Sequence, residues 1–141
     1  MKLETSYPML FSPIELAGQT LKNRIVHASI SPRFSAERGM SPGYYQYFVN
    51  RARGGAAMVV TDPVGIAPMQ SNERLIAWNA SMQDDLKRLA SGVREQGCVL
   101  IGQIQDTGRG RHVPGRSYLT MGPSALPDDL SYTMPRPMST Q

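Results

Sequence analysis

The sequence predicts an α/β fold organised around parallel strands, and three features carry that prediction. Ala56-Ala57-Met58-Val59-Val60-Thr61 is an uninterrupted apolar run, the pattern of a strand buried on both faces of a parallel sheet. Val99 to Ile104 begins as a second such run. Ahead of each lies a segment with helical spacing, so strands and helices alternate as parallel crossovers require.

In chain order, residues 10–21 (LFSPIELAGQTL) read as a short hairpin with Ala17-Gly18-Gln19 as its turn. Arg24–Ala28 is a short strand, and residues 29–40 are a loop. Ser41 is placed to cap a helix whose first turn holds Pro42. Tyr45, Phe48, Val49 and Ala52 then share one side, and Gly54-Gly55 ends the helix. After strand 56–61 comes a loop over 62–80. Ser81 with Asp84 resembles a capping box. Met82, Leu86, Leu89 and Val93 recur at helical spacing, and Gly97 closes that helix immediately before strand Val99–Ile104. Both crossovers are expected to be right-handed. Residues 106–141 carry no periodic segment and read as mostly irregular.

Three parallel strands leave both sheet edges unpaired. Such sheets occur with covered faces, as doubly wound sheets or barrels. Residues 1–141 are therefore expected to form a single incomplete domain; the alternative is a small self-contained α/β domain.

Composition narrows the class. Fifteen Lys+Arg against eleven Asp+Glu give a net charge of +4, compatible with an anionic ligand and too weak for nucleic acid. The single cysteine, Cys98, cannot form an internal disulfide and fits a reducing, cytoplasmic setting. No apolar run approaches the roughly 20 residues of a membrane span, and no membrane association is expected.

Ligands of parallel α/β folds sit beyond the carboxyl ends of the strands. That directs attention to Ser29–Phe34, Asp62–Gln70 and Gln103–His112. Ser29 and Ser31, flanking Ile30, offer hydroxyls and backbone N–H groups, although serines after strands are more often turn formers. Pro63 removes a donor and fixes the chain direction. Gln103 offers two donors and an acceptor, but an amide in an apolar strand needs a partner that the neighbouring sequence does not supply. A loop-holding structural role for it is as good a reading. His27 lies inside a strand and is expected to be buried and neutral, and Cys98 to be a small core side chain. Arg109, Arg111, His112 and Arg116 form a basic cluster suited to a phosphate or carboxylate. No nucleotide-binding glycine motif, nucleophile elbow or paired metal ligands occur.

Taken together, the strings say more. LFSPIELAGQTLKNRIVHAS resembles the opening of the Old Yellow Enzyme family of FMN-dependent NADH:flavin oxidoreductases. YYQYFVNRARGGAAMVVTDPVGIAP is similar to its first helix and second strand, VLIGQIQDTGRG to its third strand, and GPSALP to a following element. The likeness covers about residues 10–127.

The resemblance implies a partial TIM (β/α)8 barrel: an N-terminal hairpin, strands one to three and two helices. A whole barrel needs roughly 250 residues. It implies FMN at the carboxyl ends, touched by Ser29, Ile30 and Ser31, with Ser31 nearest the C4 carbonyl. It further implies Pro63 against the flavin and Gln103 on the pyrimidine edge. NAD(P)H would be the reductant and an activated alkene or related small molecule the substrate. The family's substrate-binding pair, proton-donating tyrosine and phosphate grip fall later in its chains, so no catalytic residue and no metal is expected here. The partners implied are the remaining barrel strands, in the same or another chain, with room for an oligomer. Ser29 stands where the family has proline, and Asp106 where it has histidine. These departures leave room for a noncatalytic half-barrel acting as a scaffold.

Overall fold

A computed structural model describes residues 6–34, 40–66, 80–106, 108, 121–127, 129, 132 and 134–139. Strands β1 (Ile14–Leu16) and β2 (Gln19–Leu21) pair antiparallel, with Ile14 opposite Leu21 and Leu16 opposite Gln19. The turn between them has two residues, Ala17 and Gly18, at φ 48° and 75°. Two left-handed residues give a turn whose twist matches that of the flanking strands. Gln19 therefore belongs to β2 and not to the turn, a correction to the sequence reading.

Strand β3 is Val26–His27, shorter than expected because the Arg24 N–H is taken by Leu10 O at 2.9 Å. Helix α1 (Pro42–Arg53) starts as the sequence predicts: the Ser41 hydroxyl accepts from Tyr44 N at 3.0 Å, with proline in the first turn. Its buried side is Tyr44, Phe48, Val49 and Ala52. Tyr44, one residue before the expected Tyr45, is the fully enclosed tyrosine, and Tyr45 packs at the core margin. Gly55, at φ 107°, turns the chain into the next strand.

Next come β4 (Met58–Val60), β5 (Val64–Gly65), α2 (Ala80–Arg94), β6 (Val99–Ile101) and β7 (Ile104–Gln105). Ser81 lies within α2, one residue after its start, and Asp84 pairs with Lys87 at 3.2 Å. Within the final segment two short strands, β8 (Met121–Gly122) and β9 (Arg136–Pro137), pair in parallel where the sequence shows no periodicity.

Strands β3, β4 and β6 form a parallel sheet in that order. Register places His27, Val59 and Leu100 side by side on one face, where His27 meets the rings of Tyr47 and Phe48 in α1. The other face is largely bare: Val26 is 47% and Ile101 42% exposed. The core thus lies between sheet and helices, with Val59, Phe48, Leu89 and Val93 at its centre.

The ladder resumes as β5 against β7, with Val64 opposite Ile104. Val60 pairs with Ile101, so one strand takes one more residue than its partner to reach the next pairing. This is a β-bulge, rare in parallel pairs. Its cause is chemical. Pro63 has no N–H to donate, so the Gln103 carbonyl takes Val64 N at 2.8 Å instead. Gln103 N donates to the Thr61 hydroxyl at 3.0 Å. The single strand expected over Val99–Ile104 is therefore two, parted at Gly102-Gln103.

The amino-terminal hairpin sits at the opposite end of the sheet. Lys22 Nζ donates to Gln96 O at 2.8 Å and Asn23 Nδ2 to Gly55 O at 2.8 Å. Both acceptors lie where a helix turns back into a strand. The strands' amino ends are thereby held beneath, and their carboxyl ends carry the loops of interest.

Candidate functional site

Four side chains meet where β3 and β4 end. Asp62 falls in the bulge and is turned inward, 1% exposed, a burial that an anion tolerates only with donors. Ser31 Oγ donates to its Oδ2 at 3.3 Å, and the Tyr44 hydroxyl donates to its Oδ1. Burial pushes the Tyr44 phenol well above its ordinary range, and the Asp62 carboxylate pushes it the same way. Tyr44 is consequently a permanent donor. Thr61, beside Asp62 and equally buried, receives the Gln103 main chain.

Ser31 and Gln103 are thus tied to adjacent residues, Asp62 and Thr61, and sit on one rim. Pro63 lies between, half-buried in the bulge; Ser29 is half-buried and Ile30 exposed on the approach from β3. Gln103 differs from expectation. It is exposed, not enclosed in a strand, because the break at Gly102 releases it. Its main chain holds the ladder, and among the described residues its side-chain amide has no partner. Asp106 Oδ1 accepts from Gly108 N at 2.8 Å, a local turn bond. Arg109, Arg111, His112 and Arg116 lie outside the described residues.

His27 faces α1 and not the rim: its Nε2 takes Arg51 Nε at 3.3 Å, and burial, then the Arg51 charge, lower its pKa. Cys98 is in the core, with its thiol pushed up by burial against a smaller opposing pull from Lys22. Sequence reasoning missed Tyr44 and Thr61. Their side chains look like ordinary core and strand residues until the fold sets them beside Asp62 and Gln103. Among the described residues no cluster of His, Cys, Asp and Glu is arranged for a metal, and no helix is long and apolar enough to cross a membrane.

Residues 9–141 match the model of the NADH:flavin oxidoreductase / NADH oxidase family. The chain belongs to that family. An NADPH dehydrogenase of Bacillus licheniformis is 30% identical over 136 residues, covering 94% of this chain and 39% of that relative. This member of the NADH:flavin oxidoreductase family therefore spans about two fifths of such a relative's length. Among solved structures, a 2-naphthoyl-CoA reductase in complex with 2-naphthoyl-CoA superposes with a TM-score of 0.78 at 25% identity, covering 94% of this chain and 23% of that one. The old yellow enzyme from Trypanosoma cruzi superposes with a TM-score of 0.76 at 16% identity, over 96% of this chain and 43% of that one. These neighbours are TIM-barrel proteins, and the family member described here has the α/β fold of an amino-terminal part of that barrel, with no closed barrel among its described residues.

Proposed function

We propose that this chain supplies the first three barrel strands of an FMN-dependent, Old Yellow Enzyme-like oxidoreductase. It is read as one incomplete domain, active with the remaining strands in the same or another chain. The observation that carries this reading is the convergence of Ser31 and Gln103 on adjacent residues at the carboxyl ends of the sheet. The residues present fit a flavin. Gln103 offers an exposed amide, without a partner among the described residues, for a heterocycle with fixed donor and acceptor edges. The anion in the bulge, Asp62, is buried and accepts from two hydroxyl donors, Ser31 and Tyr44.

In this reading Gln103 reads the pyrimidine edge, Ser31 lies by the C4 carbonyl, Ser29 and Ile30 line the approach, and Pro63 packs against the ring. Bound there, FMN supplies hydride transfer from NAD(P)H to an activated alkene or related small molecule. The chain's own part is to hold and orient; the phosphate grip and substrate-facing groups are assigned to the rest of the barrel.

Titration with FMN and with riboflavin, followed by flavin fluorescence, tests this. The two are expected to bind alike and weakly, and Gln103→Ala to weaken both about tenfold, a loss of about 1.4 kcal/mol. Submicromolar FMN affinity, or a Gln103→Ala variant that binds normally, contradicts the reading. A second reading, a noncatalytic half-barrel scaffold, is favoured by the bare sheet face at Val26 and Ile101. A colourless, stable assembly would support it, and a yellow one oxidising NAD(P)H would support the first.

A further inference from the structure

We propose that His27, Tyr47 and Arg51 form an acid-sensitive lock between β3 and α1, in which protonation of the His27 ring exchanges its Arg51 partner for Tyr47. The cluster lies on the helix-facing side of the sheet, away from the rim, and its behaviour does not depend on a bound ligand. Tyr47 and Arg51 stand one turn apart on α1. Arg51 is fixed by three contacts: Nη1 donates to Tyr47 O at 2.9 Å, the guanidinium lies 3.2 Å over the Tyr47 ring, and Nε donates to His27 Nε2 at 3.3 Å. A guanidinium only donates, so Nε2 is the unprotonated nitrogen of the imidazole. The ring proton then sits on Nδ1, which is buried and has no acceptor among the described residues. The Tyr47 hydroxyl is 3.4 Å from the same Nε2 and can give or take a proton. Phe48 closes another side of the ring at right angles, and Val59 lies beside His27 in the sheet. Among the described residues facing the imidazole, Arg51 carries the one charge, and no carboxylate offsets it.

Acid inverts these roles. A proton added at Nε2 removes the lone pair that Arg51 uses and sets two cations side by side. The phenol oxygen of Tyr47 becomes the acceptor for the new N–H, while Arg51, already half-exposed, turns toward water. Helix α1 then keeps its core side chains but loses its grip on the end of β3. Burial and the Arg51 charge both hold the folded ring neutral, below the ordinary value of 6.5. The unfolded chain therefore binds the proton first. The lock contributes fully above pH 6.5, and its contribution is lost as pH falls through the folded value.

A pH titration of the isotope-labelled chain, followed by NMR of the ring and guanidinium nitrogens, tests this without any variant. At neutral pH His27 is expected as the Nδ1–H tautomer, the reverse of the preference of free histidine, alongside a distinct Arg51 Nε–H signal. That signal is expected to be lost with the same midpoint at which His27 gains its second proton. The Nε2–H tautomer at neutral pH, or an Arg51 signal indifferent to the titration of His27, overturns the proposal. Two variants should then move the His27 midpoint in opposite directions. Arg51→Met removes the charge and the donor and is expected to raise it. Tyr47→Phe keeps the ring but removes the acceptor for the protonated form and is expected to lower it. Midpoints that shift in the same direction, or do not shift, overturn the exchange of partners. If a variant fails to fold, the wild-type tautomer and the shared midpoint decide.

Discussion

Asn23 and Gly55 are joined across 32 residues of chain: Asn23 Nδ2 donates to Gly55 O at 2.8 Å while its Oδ1 accepts from Ile25 N at 3.0 Å. One buried amide thus sets both the entry to β3 and the turn from α1 into β4. It gives a physical reason for an asparagine in LKNRIV, while the second glycine of RARGG answers to the φ of 107° at Gly55.

Replacing that amide should be costly. Asn23→Ala removes two bonds and strands a buried donor and acceptor, so a loss of about 2–3 kcal/mol is expected. Denaturant unfolding measures it, and a loss below about 0.5 kcal/mol would show the clasp to be dispensable.

The hairpin turn offers a gain. Ala17 holds φ 48°, a conformation that its Cβ disfavours. Ala17→Gly relieves this but adds freedom to the unfolded chain. The net expectation is a stabilisation of about 0.5 kcal/mol, visible as a small rise in Tm.

Tyr44 governs behaviour in alkali. Its phenol ionises near pH 10 in the unfolded chain, while burial and Asp62 keep it protonated in the folded one. Above pH 10 the folded state therefore binds more protons, and stability falls as pH rises, by about 1.4 kcal/mol per unit from this residue. Tyr44→Phe should be less stable at pH 7, having lost a donor to a buried carboxylate, yet should show a shallower decline above pH 10. Parallel curves for the two proteins would refute the assignment.

The bulge rests in part on one hydroxyl. Thr61→Val keeps the shape but removes the acceptor for Gln103 N, at an expected cost of about 1–3 kcal/mol. Hydrogen exchange gives the sharper readout: protection of the Gln103 amide should collapse in Thr61→Val and return in Thr61→Ser.

The parallel order and both helices were legible because they are written in local periods: the run at 56–61, the cap at Ser41-Pro42, the repeat from Met82 to Val93. What escaped is set between strands. Pro63 announces an interruption, but the one-residue offset appears only when Thr61 and Gln103 face each other. Adjacent tyrosines hid the phase of α1, since Tyr44 and Tyr45 serve a helical pattern almost equally well. Pairs as short as β8 with β9 are fixed by distant partners and leave no period to read. At the rim, Ser31, Pro63 and Gln103 were visible as residue types at strand ends, whereas Tyr44 acquires its partner only through the crossover that carries it.

The tie from Lys22 to Gln96 has a consequence for how the chain comes off the ribosome. The ammonium beside the hairpin finds its carbonyl only after the second crossover has been translated, whereas the neighbouring Asn23 can reach Gly55 after the first. The strip is thus fastened in two stages, a clasp after one crossover and a latch after the next.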